Sequence, residues 1–377
     1  MKIISIGPAS PLRGGIAKFN ESFVVTCNSM GYNTEIVSYF FLYPSFLFPG
    51  KSQFSTDVVP PNLKIHSVIH SLNPFNWHKV VSIISDFSPD LIVIHYWMPF
   101  FAPVLGVIAR KLKKKTGVVI IAIAHNLIPH ETQPGTRMLT RWFLKSIDGL
   151  VALSSSVVRD YKGFNLPGAV INLPHPVYDI YGEKSSREDS LNYLNLDNKL
   201  KYLLFFGLIR KYKGLDLLLD AFSKLNDDNM RLLVAGEFYE NKEKYFKQVE
   251  KLGIREKVIF IDNFIPDNEV KYYFGAVEVV VQPYLTATQS GVTQIAYHFE
   301  CPMIVTNVGG LSEIVIDGKT GFVCNKNADE IADKIRKTLV PSRRKKFIEE
   351  IRKEKDRFSW NGFVEKVLEL YYSFRKK

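Results

Sequence analysis

A guanidinium and an ammonium lie three residues apart in the segment FFGLIRKYKGLDLLLDAF. A strand-like run ends at Gly207, and Arg210, Lys211 and Lys213 then precede Gly214 and an amphipathic helical run. Two such cations beside a helix start make a clamp for an oxyanion such as phosphate. A solvated basic loop is the plainer alternative. The N-terminus repeats the device with less charge. KIISI (2–6) leads through Gly7 and Pro8 to Arg13-Gly14-Gly15, where a helical pattern begins. Glycines let backbone approach a ligand closely, and a helix N-terminus offers free N–H groups. The G-x-G-x-x-G of a dinucleotide site is absent after this strand.

A third loop, in PYLTATQSGVTQIAYHF, also joins a strand to a helix. Thr288, Ser290 and the amides around Gly291 suit a second phosphate or a ribose. In TNVGGLSEIVIDGKTGFVC, residues 307–313 read as a tight turn and residues 318–321 as a hairpin-like turn. Glu313 can be a ligand-facing carboxylate or simply an acid favoured by a helix start. His125, after a strand-like run, can be a satisfied buried histidine, and the same reading applies to His95 and His130. Glu131 either orients a histidine or faces water.

Positioning these loops requires a regular frame. Runs at 2–6, 34–38, 91–95, 118–124 and 149–153 are nearly continuous in apolar residues, as expected of parallel strands covered on both faces. Helical patterns lie between them, near 15–30, 76–87, 101–115 and 136–146. The alternation lapses over polar residues 179–200 and then restarts. Strand-like runs at 202–207, 231–235, 257–261, 278–282 and 302–306 alternate with helical patterns near 214–226, 241–252, 267–275 and 290–299. The expectation is two doubly wound α/β domains of similar size. Their expected bounds are 1–178 and 201–355, with a linker at 179–200 and a C-terminal helix at 356–377 packing back on the first domain.

The 377 residues suit two domains, with 46% hydrophobic and 23% charged residues. Three cysteines cannot form a disulfide framework and show no metal spacing. The opening apolar run is too short for a signal peptide, and no stretch is apolar enough to span a membrane. A cytoplasmic protein is expected, with contact at the inner membrane face. Of the net charge of +11, the first 178 residues carry most, with 16 Lys and Arg against 8 Asp and Glu. Nucleic-acid motifs are absent, which favours a phosphorylated ligand or an anionic membrane as the partner.

The chain resembles the large group 1, or family four, retaining glycosyltransferases of GT-B fold. The match is carried by FFGLIRKYKGLDLLLDAF, by VVVQPYLTATQSGVTQIAYHFECPMIVTNVGGLSEIVIDGKTGFV and by Arg13-Gly14-Gly15, with HYWMP and AHNLIPHE in the first half. The resemblance implies two Rossmann-like domains facing a central cleft and a nucleotide-sugar donor held by the second. It implies Arg210 and Lys213 on the donor diphosphate, although Arg210 lies two places later than the family arginine, where Leu208 stands. Gly14 and Gly15 would touch the phosphates from across the cleft, and His125 takes the active-site histidine position. Gly207, Thr288, Ser290, Gly291, Val292, Gln294 and Glu313 complete the implied donor site.

The family also has two glutamates with seven residues between them. Here their places fall near Thr288 and near Ile295, beside Gln294, and neither is acidic, so the sugar and the ribose contact stay open. No Asp-x-Asp occurs, so no metal is expected. Transfer to a glycan or lipid-linked acceptor in surface polysaccharide biosynthesis is the implied role. A nucleotide-sugar epimerase of similar fold and a non-catalytic nucleotide- or glycan-binding module are the alternatives. The aromatic run YFFLYPSFLFPG (39–50) is either buried against its domain or a lipid- or acceptor-facing loop, and the basic helix end Arg110–Lys115 is either a solvated face or a contact for anionic lipid.

Overall fold

The computed structural model describes residues 1–44, 52–55, 63–128, 134–178 and 180–375. The chain divides into two compact units. The first comprises Met1–His175 with Ser359–Lys377, and the second comprises Pro176–Phe358.

Among the described residues the first unit holds a seven-stranded parallel sheet. Its strands are β1 (Lys2–Ile6), β2 (Asn33–Phe41), β3 (Ile65–His70), β4 (Leu91–Tyr96), β5 (Val119–Ala124), β6 (Gly149–Ala152) and β7 (Ala169–Asn172). Their spatial order is β3-β2-β1-β4-β5-β6-β7. The second unit holds six parallel strands: β8 (Lys201–Phe206), β9 (Met230–Ala235), β10 (Val258–Ile261), β11 (Val279–Gln282), β12 (Met303–Thr306) and β13 (Gly321–Cys324). Their order is β10-β9-β8-β11-β12-β13. Both are Rossmann-like, doubly wound sheets. In each, the chain runs outward in one direction from the first strand and returns to wind the other way. The crevice where the direction reverses lies between β1 and β4 in one sheet and between β8 and β11 in the other.

The central strands read continuously apolar because helices cover both faces. On one face of the first sheet, Ile4, Ile6, Ile92 and Ile94 pack with Leu105, Ile108 and Phe143. On the other, Ile3, Val93, Ile121 and Val151 pack with Phe19 and Phe23 of the helix Gly15–Ser29, and with Val364 and Val367 of the helix Trp360–Arg375. Helix starts follow local chemistry. The Asn73 side chain accepts from the backbone N–H groups of Phe75 and Asn76, with Pro74 opening the helix Pro74–Phe87. Asn327 caps the helix Ala328–Thr338 in the same way.

Strands β3, β7 and β13, and the helix Ser155–Lys162, add to the elements expected from the sequence. All three strands lie at sheet edges and are short or half polar. The polar stretch 179–200 carries the helix Arg187–Tyr193, capped by Ser186. Its Leu191 joins the core of the second unit beside Val270, Tyr273 and Phe274. Of the aromatic run 39–50, residues 45–50 lie outside the described residues. Tyr39 and Leu42 are core, and Phe40 is exposed.

Candidate active site

In the second unit the loops 207–214 and 283–290 leave β8 and β11, the two strands that border the crevice. Lys213 is the cation they enclose. It is only 8% exposed, and its Nζ lies 5.6 Å from the centroid of the Tyr284 ring. A Cβ on Gly207 would stand 3.2 Å from that Nζ and 3.4 Å from Val292 Cγ2, so the ammonium rests against the end of β8. Burial, with the Arg210 charge adding to it, pulls the Lys213 pKa down from 10.5 to about 7. Arg210 is exposed and lies over the Tyr239 ring, 5.0 Å from its centroid.

Ser290 joins the same cluster. Gln282 Nε2 donates to Ser290 Oγ at 3.0 Å, and the Tyr284 hydroxyl lies 3.4 Å from it. The loop is held from behind by a backbone contact. Gly310 N–H donates to the Thr288 carbonyl at 3.0 Å. Gly309 has φ 51°, and a Cβ there would stand 1.7 Å from the Ala287 carbonyl oxygen. Gly291 opens the helix Gly291–His298 and packs against Tyr178. Gln294 lies within that helix, fully buried, and neither amide atom has a partner among the described residues. Glu313 sits in the first turn of the short helix Leu311–Ile314 and is partly buried.

The structure thus gathers Gly207, Lys213, Val292, Ser290 and the unanticipated Tyr284 around one strand end. Gln282 and Tyr284 flank the β11 terminus, a position that marks them as candidates once the strand order is known. A desolvated ammonium beside mobile-proton donors and backbone amides is suited to stabilising phosphate charge.

Gly14, Gly15 and His125 belong to the first unit. Gly14 caps the helix Gly15–Ser29, whose first turn carries no acidic residue to compete with an anion. His125 follows β5 and is 5% exposed. Its Nε2 lies 3.1 Å from His95 Nδ1. Phe19 meets the rings of His95, His125 and His175 edge-on. Burial lowers the His125 pKa well below the usual histidine value, with smaller contributions from His95 and His175. His130 and Glu131 lie outside the described residues. No group of three or more His, Cys, Asp or Glu side chains is arranged to hold a metal among the described residues.

Two family models divide the chain between them. The model described as Glycosyltransferase Family 4 matches residues 13–179. The model described as Glycosyl transferases group 1 matches residues 186–354. The chain belongs to the group 1, family four glycosyltransferases. This glycosyltransferase is 25% identical to the D-inositol 3-phosphate glycosyltransferase of Corynebacterium diphtheriae, over 75% of the chain and 70% of the relative. Its fold is similar to that of sucrose-phosphate synthase from Thermosynechococcus elongatus, with a TM-score of 0.79, 17% identity and coverage of 100% and 99% of the two chains. It is also similar to Anabaena HepE solved with UDP and glucose, with a TM-score of 0.74, 16% identity and coverage of 99% and 100%. The glycosyltransferase therefore has the GT-B fold, built from its two Rossmann-like sheets.

Proposed function

We propose that this glycosyltransferase moves a sugar, with retention of configuration, from a nucleoside-diphosphate sugar to a glycan or lipid-linked acceptor in surface polysaccharide assembly. The buried ammonium of Lys213 at the β8–β11 crevice carries the donor reading. Breaking the sugar–phosphate bond builds negative charge on the departing diphosphate. A cation already desolvated and aimed there stabilises that charge more than the ground state. Arg210 supplies a second, solvent-facing cation, and the loop 283–290 supplies hydroxyls and amides. Gly14 and Gly15, at the start of a helix in the first unit, are kept as donor-contact candidates. The leaving phosphate can take the acceptor's proton, so the reaction needs no carboxylate pair. HepE holds UDP and glucose, which favours UDP as the nucleotide.

The test is a thermal-shift panel of UDP, GDP, ADP and dTDP with their sugars. One nucleotide should raise the melting temperature of the wild type, with a smaller shift in Arg210→Ala. No shift from any of them removes the donor site from the loops after β8 and β11.

Contact with an anionic membrane belongs to the same proposal. Within the basic helix end, Arg110 stacks on Trp142 and Lys113 pairs with Asp148 at 2.6 Å, so both are engaged locally. Lys114 and Lys115 remain exposed, as does Phe75 at the start of a neighbouring helix, 88% exposed. No helix among the described residues is long and apolar enough to cross a membrane. Exposed cations near anionic lipid contribute about 1 kcal/mol each, enough for reversible binding. The protein should sediment with phosphatidylserine liposomes at low salt and be released at high salt, with less binding by a Lys114→Glu, Lys115→Glu variant. An absence of low-salt binding sinks the membrane partner.

A further inference from the structure

Ser5, His95 and His125 stand at the carboxyl ends of three neighbouring strands. Ser5 is in register with Val93, two residues before His95. His95 is in register with Ile123, two residues before His125. Alternation along the strands therefore places Ser5 and His95 on one sheet face, with His125 continuing the line of β5. The helix Gly15–Ser29 covers this face and brings in Asn20, which is fully buried.

Hydrogen bonds join the four side chains without a gap. Asn20 Nδ2 donates to the Pro8 carbonyl at 3.0 Å. Ser5 Oγ donates to Asn20 Oδ1 at 2.6 Å. Ser5 Oγ lies 3.1 Å from His95 Nε2, and His95 Nδ1 lies 3.1 Å from His125 Nε2. Gly7 makes the room, because a Cβ there would stand 3.0 Å from His95 Cβ and 3.1 Å from Asn20 Nδ2.

The polarity of this chain follows from its fixed end. A carbonyl only accepts, so the Asn20 amide N–H₂ must face Pro8, and Asn20 Oδ1 must face Ser5. That oxygen also only accepts, so the serine hydroxyl gives it its one proton. Ser5 Oγ is then an acceptor for His95, whose Nε2 carries the hydrogen. Burial lowers the His95 pKa to about 3 and keeps His125 well below its usual value, so both rings are neutral. Neutral His95 therefore has a bare Nδ1, which accepts from the Nε2–H of His125. The hydrogen on Nε2 leaves His125 Nδ1 bare. The chain ends in an amide that does not take up a proton, so it orients the rings and does not conduct.

We propose that Asn20, Ser5 and His95 are positioning residues that lock His125 as a hydrogen-bond acceptor at Nδ1, so that the group it receives is a sugar hydroxyl and not a phosphate oxygen. This rests on the reading of His125 as a residue at the transferred sugar. An ionised phosphate oxygen only accepts, and a bare ring nitrogen has nothing to give it. A hydroxyl donates to that nitrogen directly. The hydrogen-bonded side chains of the first unit are thereby assigned to a hydroxyl and not to a phosphate.

Two measurements on the full-length protein test this. Long-range proton–nitrogen correlation spectra of histidine-labelled wild type should show His95 and His125 as Nε2–H tautomers without any ligand. Spectra showing Nδ1–H on His125 overturn the proposal, and they do so without any variant having to fold. Ser5→Ala should then mix the His125 tautomers and weaken UDP-glucose binding about tenfold, with UDP binding unchanged. Ser5→Thr, which keeps the hydroxyl, should restore both. Equal losses for UDP and UDP-glucose indicate a merely structural role and also overturn it. When wild type binds neither probe, the donor reading fails, while the nitrogen spectra still decide the tautomer.

Discussion

Lys213→Met should cut sugar transfer about 100- to 1,000-fold, the usual cost of deleting one preset charge-stabilising group at a transition state. The same variant should not be less stable than the wild type. The native Lys213 pKa is about 7, against 10.5 for the ordinary side chain, because burial and Arg210 disfavour the charge. The sign follows from proton counting. Below about pH 7 both states hold the proton, and the native state carries the full cost of a buried cation. Between the two values the unfolded chain keeps a proton that the native state has shed, so wild-type stability climbs with pH across that window. Methionine removes both the low-pH cost and the climb. At about pH 6 the variant should unfold later, by roughly 1–2 kcal/mol, a stability gained at the expense of function.

A bound diphosphate should raise the lysine pKa, since an anion favours the charged form. Nucleotide binding at about pH 8 should therefore take up protons, seen as a calorimetric heat that varies with the buffer's ionisation enthalpy. Wild type that binds UDP with no proton uptake there, or a Met variant that turns over normally, contradicts the assignment of Lys213 to the diphosphate.

Gly309→Ala is the second large effect. The residue has φ 51°, and an added Cβ would stand 1.7 Å from the Ala287 carbonyl oxygen and 3.2 Å from the Thr288 amide nitrogen. Both are backbone atoms, so no rotamer change relieves the contact, and the loop 283–290 must move. The expected loss is roughly 2–4 kcal/mol of stability, with nucleotide-induced stabilisation abolished. Gly318→Ala is the control. Its φ is 71°, but a Cβ there meets nothing within 4 Å. That variant should lose only about 1 kcal/mol, from the left-handed backbone alone, and bind nucleotide normally. Equal behaviour of the two variants contradicts the close approach behind the loop.

Ten strands were legible because burial writes apolar runs into them, the edge strand β10 included. The other three edges, β3, β7 and β13, were not. IHSVIH of β3 is half polar with no regular period, and GFVC of β13 follows a turn that itself looks like a hairpin, yet it runs parallel to β12. Lys213 and Gly207 were visible as a cation and a glycine bracketing a loop. Tyr284, Gln282 and the Asn20–Ser5–His95 chain were not, since their partners become neighbours only through strand order. Ser5 and His95 are 90 residues apart and touch because β4 returns beside β1. His95 reads from the sequence as a satisfied buried histidine; the structure buries it and gives it a partner on each ring nitrogen.

The helix Trp360–Arg375 packs in the first unit although the whole second unit precedes it in the chain. During synthesis the ribosome must therefore finish all of Pro176–Phe358 before this cover exists. Until then the sheet face bearing Val93, Ile121 and Val151 lacks Val364, Val367 and Tyr371 against it. The nascent first unit is an incomplete folding unit with exposed apolar surface, a natural client for ribosome-associated chaperones. A premature stop after the second unit would leave that surface permanently open, so such a product is expected to aggregate or be degraded even though every residue of the phosphate clamp has been made.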